Sequence, residues 1–144
     1  MREILFRGKR LNGEWVEGSL LCVGGSCYVC PKIYSVENKL NMYSSIEVDP
    51  ATVGQFTGLT DKNGKLIFDG DIISVEFPAS EPPDGPGGVY FENAEVFFSA
   101  VYHGWYVRFS ECDVERLFEY DNPSEVEVVG NCWDNPELLK GGLK

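Results

Sequence analysis

Residues 53–75, VGQFTGLTDKNGKLIFDGDIISV, decide the fold, because nearly every position in them has a readable structural task. Two runs of apolar and β-branched residues flank Asp61-Lys62-Asn63-Gly64-Lys65, and an Asn-Gly pair between such runs favours a tight hairpin turn that needs positive φ. Leu66-Ile67-Phe68 reads as the return strand. Asp69-Gly70-Asp71 then punctuates the chain, and Ile72-Ile73-Ser74-Val75-Glu76-Phe77 alternates at a period of two, as a half-buried strand does. The block is a β-meander.

Toward the N-terminus, residues 4–10 and 14–22 read as strands around Leu11-Asn12-Gly13. Gly24-Gly25 makes the next turn, and residues 26–33 form another strand, weakened by Pro31 near its end. Residues 34–46 have no clear period and read as loop or an irregular edge strand. Residues 47–53 look like a short turn, with Asp49 capping it and Pro50 opening it.

Toward the C-terminus, residues 78–88, PASEPPDGPGG, hold four prolines and three glycines, which bars regular structure and predicts a surface loop. That loop separates two expected β subdomains, 1–77 and 89–144, within a single domain of residues 1–144. Residues 94–102 and 105–109 form a hairpin about His103-Gly104. Its aromatics, Phe97, Phe98, Tyr102, Trp105, Tyr106 and Phe109, exceed what one sheet face can bury, so some must cover other structure or a partner. Ser110-Glu111-Cys112-Asp113 resembles a helix start, and Val114, Leu117 and Phe118 follow at helical spacing, predicting one short helix over 111–120. Residues 124–131 return to a strand. Asn135-Pro136-Glu137 caps a final turn, whose Leu138 and Leu139 need a groove to enter. The expected class is mainly β: a small SH3-like barrel or related β-meander subdomains with one or two short helices.

A chain of 144 residues can bury a sizeable core, roughly 70% of the surface its unfolded form exposes, without needing a disulfide or metal. No apolar leader is visible in Met1-Arg2-Glu3-Ile4-Leu5-Phe6, and no apolar run approaches the roughly 20 residues of a membrane span, so the expected location is the cytoplasm. Charge is uneven. Residues 1–72 carry eight Lys or Arg and nine Asp or Glu, whereas residues 73–144 carry four and fourteen, so the second half holds minus ten of the net minus eleven. Such a surface repels phosphate backbones and argues against direct nucleic-acid binding. It serves as a solubilising face, or as an acidic surface that meets a basic partner or imitates nucleic acid.

Cys22, Cys27 and Cys30 give C-x4-C-x2-C, but their neighbours are apolar and strand-like rather than those of a zinc knuckle. An alternating strand places Cys27 and Cys30 on opposite faces. With Cys112 and Cys132 the count is odd, and the expectation is five free thiols acting as small apolar residues. No metal or cofactor is expected. His103, before a glycine at a turn and with no Ser or Cys motif beside it in sequence, reads as a turn residue rather than a base. Asp69 and Asp71 could chelate a divalent ion, yet Asp-Gly-Asp after a strand is usually turn chemistry. No catalytic constellation emerges.

Three ordered blocks resemble the YopX family of phage and prophage proteins of Gram-positive hosts. The opening block is Phe6-Arg7-Gly8-Lys9-Arg10 followed by Gly13-Glu14-Trp15-Val16-Glu17-Gly18. The middle one is Thr52-Val53-Gly54-Gln55-Phe56-Thr57-Gly58-Leu59, then Asp61-Lys62-Asn63-Gly64 and Gly70-Asp71-Ile72. The closing one is Val128-Val129-Gly130-Asn131, then Asp134-Asn135-Pro136-Glu137-Leu138-Leu139. The resemblance implies a small, mainly β phage-encoded protein and supplies no catalytic residues. Residues 24–45 and 78–88 carry no family features. The resulting expectation is a non-enzymatic protein-binding module with a host or phage protein as partner, self-association, or both. The competing readings are a metal-assisted enzyme acting on nucleotides or nucleic acid through Asp69 and Asp71, and an acidic nucleic-acid mimic.

Overall fold

The computed structural model describes residues 3–31, 45–79, 87–117 and 125–139. Its strands are β1 (Phe6–Lys9), β2 (Trp15–Val23), β3 (Ser26–Pro31), β4 (Ile46–Thr60), β5 (Leu66–Phe68), β6 (Asp71–Pro78), β7 (Val89–Ser99), β8 (Gly104–Ser110), β9 (Asp113–Arg116) and β10 (Val126–Asn131), followed by a 3-10 turn at Pro136–Leu138. They form two five-stranded antiparallel sheets, ordered β1-β2-β3-β4-β5 and β10-β6-β7-β8-β9. The mainly β expectation holds, but the 53–75 block is not one meander: β4 and β5 are neighbours in the first sheet, whereas β6 belongs to the second, between β10 and β7. The chain divides into two compact units, Met1–Gly58 and Leu59–Lys144.

In the first unit β1 pairs with β2 on one side and β4 on the other, so β1 to β4 close into a ring. Alternation in β3 sends Cys27 and Val29 inward, where they pack with Val48 and, at the margin, Val16, Leu20 and Val53. Gly18 is required by contact: a Cβ there would meet the Cys30 carbonyl across the β2–β3 ladder. The turn expected at 47–53 lies instead inside β4. Asp49 Oδ1 does accept the Ala51 N–H at 3.0 Å and the Thr52 hydroxyl donates to the Asp49 carbonyl at 2.6 Å. This local turn survives as a bulge, because Arg7 pairs with Gly54 while Lys9 pairs with Asp49. Thr52 Oγ1 then accepts the Lys9 N–H at 2.9 Å, tying the bulge to β1.

The free-thiol expectation needs correction for two of the five cysteines. Cys22 and Cys27 sit directly opposite each other in the β2–β3 register, with Cα atoms 4.2 Å apart, and are joined as a disulfide. The two-residue Gly24-Gly25 turn, with φ of 58° and 87°, sets that register, which spacing along the sequence alone does not reveal. Cys30, Cys112 and Cys132 are free. Oxidised, denatured protein should therefore titrate three thiols and reduced protein all five. Reduction removes the closure of a loop with a sequence separation of 5 and should lower stability by about 2 kcal/mol on the chain-entropy model. Five thiols in oxidised protein would refute the pairing.

In the second unit Ile73, Val75, Ala94, Val96, Val107, Phe109, Leu117 and Val126 form one buried cluster together with Ile67. Burying each large aliphatic or aromatic side chain contributes about 1.5–3 kcal/mol. The hairpin turn after β4 forms as its sequence requires, with Gly64 at a φ of 78° and the Asp61 N–H donating to the Lys65 carbonyl at 2.8 Å. The expected helix over 111–120 is absent from its described part. Glu111 and Cys112 make a turn, and residues 113–116 pair with β8 as β9, Ser110 opposite Asp113 and Tyr106 opposite Arg116. Pairing with the β8 edge satisfies the backbone of this short segment, while Leu117 still reaches the core at 1% exposure. Residues 118–120 of that expectation lie outside the described residues, as do 34–44 of the irregular segment, 80–86 of the Pro/Gly-rich loop and the start of the last strand at 124.

Candidate interaction surface

The second sheet presents its functional candidates on β7 and β8. The β7–β8 hairpin turns at residues 100–103, where His103 takes a φ of 56° and the Tyr102 N–H donates to Ser99 Oγ at 3.1 Å. This tip carries Phe98, Val101 and Tyr102 into solvent. Phe98 meets Trp105 edge-on with centroids 5.3 Å apart, and Tyr102 lies 5.4 Å from Tyr106. Of the six aromatics singled out in this hairpin, Phe109 enters the core and Trp105 packs against it. At the other end of β7, Val89, Tyr90 and Phe91 are also exposed, Tyr90 stacking on Phe77 at 5.5 Å.

Paired residues of an antiparallel ladder share a face, so the register assigns the outward face of this sheet. Phe97, Tyr106 and Arg116 form one rung, and Glu95, Arg108 and Val114 the next. The Arg108 guanidinium lies 4.3 Å over the Phe97 ring, with Nη1 3.9 Å from Glu95 Oε1. Farther along, Glu127 pairs with Ser74 and Glu76 with Phe91. The 3-10 turn docks between these regions through Asn93, whose Nδ2 donates to the Leu138 carbonyl at 2.9 Å. Leu138 and Leu139 line an open groove of about 330 Å³ with Tyr90, Phe91, Glu92 and Asn93. Asn135 supports the turn differently from a side-chain cap: its carbonyl accepts the Leu138 N–H at 3.0 Å, and its Oδ1 receives the Asn131 N–H at 3.3 Å.

The residues weighed for chemistry stand elsewhere. Asp71 is 2% exposed, and its Oδ2 accepts the Phe68 N–H at 2.7 Å, closing the turn between β5 and β6. Asp61, which sequence reasoning treated only as a turn residue, is the more connected carboxylate. Its Oδ1 accepts the Asn63 and Lys65 N–H groups at 2.8 and 2.9 Å, and its Oδ2 accepts the Val128 N–H at 2.9 Å. The Asx-turn potential of Asp before Asn-Gly was visible, but the third bond spans 67 residues and had no local signal. Among the described residues no three His, Cys, Asp or Glu side chains come together as a metal site, and no helix is long and apolar enough to cross a membrane.

A family model described as YopX protein matches residues 5–140. The chain belongs to the YopX family. No individually curated protein matches it. The fold gives the blocks of this YopX chain physical meaning. In the opening block, Arg7 is buried to 8% exposure with its guanidinium 4.8 Å over the Trp15 ring, and Lys9 Nζ lies 5.9 Å from the same ring across the β1–β2 ladder. In the middle block, Asp61 organises the hairpin, and Gly70 and Asp71 organise the next turn. The closing block is β10 and the turn that docks on Asn93. All three blocks therefore have structural roles in this YopX chain.

Proposed function

We propose that this YopX-family chain is a phage- or prophage-encoded protein-binding module acting in the bacterial cytoplasm by contact rather than catalysis, through a host or phage protein, self-association, or both. The observation that carries this reading is the apolar exposure at both ends of one strand. Val89, Tyr90 and Phe91 at the start of β7, and Phe98 with Val101 and Tyr102 at its far end, are each 47–78% exposed. Clustered aromatic and aliphatic side chains of this kind mark interaction sites, because covering them releases about 25 cal/mol per Å² of apolar surface. A net charge of minus eleven disfavours a phosphate backbone as the partner. The internal engagement of Asp71 also fits a structural use of the Asp-Gly-Asp turn.

The reading is tested by affinity capture with tagged protein from lysate of a phage-infected host, beside an uninfected control. A co-purifying protein at near-stoichiometric amounts, or self-association of the purified chain, supports it. Bait alone from lysate, together with a purified chain that stays monomeric, contradicts it.

A further inference from the structure

The outward face of the second sheet has two corners of opposite charge. One corner holds Arg108 and Arg116 with Phe97 and Tyr106, Glu95 standing 3.9 Å from Arg108 as its counter-charge, and the two arginines are the only Lys or Arg among the described residues beyond 72. The other corner holds Glu76, Glu125 and Glu127 around the exposed Phe91, with Lys62 3.4 Å from Glu127 as its counter-charge. These corners lie diagonally. Glu127 is on the β10 edge and Arg116 on the β9 edge, four strand spacings of about 4.8 Å apart laterally. Glu76 and Phe91 also stand toward the opposite end of the strands from Phe97 and Tyr106. The docked 3-10 turn at Asn93 lies between them.

We propose that a second copy of this chain covers the basic aromatic corner, seating its own Glu76, Glu125, Glu127 and Phe91 on Arg108, Arg116, Phe97 and Tyr106. This rests on the protein-binding reading and names its partner. Charge complementarity carries the choice of occupant: the chain itself supplies a corner with acidic groups around an exposed aromatic to match arginines around aromatic rings. Arg108 is already held over Phe97, which limits the freedom lost when a carboxylate arrives. Because both corners lie on one face, the pairing made twice between two copies closes a two-fold dimer, and made once per copy it repeats into a ring or an open chain. Two copies of minus eleven repel at long range, so the contact belongs at salt near 0.15 M, where fields extend only about 8 Å.

The test is sedimentation of the 144-residue chain at that salt, alone and as two charge-reversed variants. One variant carries Arg108→Glu and Arg116→Glu, the other Glu125→Lys and Glu127→Lys. The native chain should associate at micromolar concentration, and each variant alone should weaken association at least about tenfold, sedimenting as a 16.1 kDa monomer. Mixed in equal amounts, the two native corners match each other and the two reversed corners match in charge as well, so association should return. The mixture should therefore sediment well above the 16.1 kDa of the monomer. That restored association also shows both variants to be folded. A monomeric native chain, undiminished association of either variant, or a mixture that stays monomeric overturns the proposal. If the native chain is monomeric yet captures an acidic protein from lysate that the arginine variant loses, the corner belongs to that partner, and the broader binding-module reading stands while this one falls. A single-stranded oligonucleotide bound by the native chain and lost by the arginine variant overturns it as well.

Discussion

Gly70→Ala is expected to lower the unfolding free energy by about 3–5 kcal/mol, a large share of the roughly 5–15 kcal/mol that keeps a domain folded. Two costs add. Gly70 has a φ of 89°, where a side chain is strained by about 1–3 kcal/mol. A Cβ at this position would also run into the six-membered part of the Trp133 ring, an overpacking cost of about 1–3 kcal/mol. Movement away is restricted, because the Gly70 N–H donates to the Val96 carbonyl at 2.8 Å and its carbonyl accepts the Cys132 N–H at 2.9 Å. Urea unfolding measures the total. Adding Trp133→Ala should recover the steric part alone, so the double variant should be less destabilised than the sum of the two singles. Strict additivity would show that the Trp133 contact is not the cause.

Asp61→Ala should be comparably damaging, about 3–5 kcal/mol, because it strips the acceptor from three backbone N–H groups at once. One of these belongs to Val128, so the loss removes a tie between β10 and the hairpin turn as well as loosening the turn, leaving the bond from the Lys62 N–H to the Val126 carbonyl at 2.9 Å. Burial works to raise the Asp61 pKa, but the N–H groups of Val128, Lys65 and Asn63, with the Lys65 charge, outweigh it and hold the carboxyl below its ordinary value of 3.8. A carboxyl depressed on folding contributes stability that is fully present above its unfolded pKa, about 3.9, and is lost as pH falls through the lower folded value. The native chain should therefore lose this contribution only below about pH 4, and Asp61→Ala should flatten that part of the acid limb. An acid limb identical in the two proteins would contradict the assignment.

Features set by neighbours in sequence were legible before the structure was known. Asn12-Gly13, Gly24-Gly25 and Asn63-Gly64 each located a real hairpin, and the alternation of residues 72–77 located β6. Failures came where distant partners decide. Asp49-Pro50 has strong turn chemistry, yet pairing with β1 and β3 on either side kept it within β4 as a bulge. Val114, Leu117 and Phe118 have helical spacing, yet the β8 edge claimed residues 113–116. The Cys22–Cys27 bond depends on the β2–β3 register, which places the two residues opposite each other and which their spacing along the sequence alone does not reveal. The interaction surface was half legible: a surplus of aromatics in the β7–β8 hairpin was evident, but which of them face water follows from register and burial. The oppositely charged corners are assembled from β6 to β10 and have no contiguous signature.

The most direct test of action by contact through β7 is the lysate capture run in parallel with the native chain and a variant carrying Val101→Ser and Tyr102→Ser. Both residues are exposed in the hairpin turn, at 78% and 68%, so the variant should lose only about 1 kcal/mol of stability, from the Tyr102–Tyr106 ring contact, and stay folded. The account predicts a partner recovered near stoichiometry by the native chain and reduced at least about tenfold in the variant, as expected when exposed anchors of an interface are removed. Equal recovery by both proteins would contradict a role for this tip, and a partner absent from both, with the native chain monomeric, would contradict the binding-module account itself.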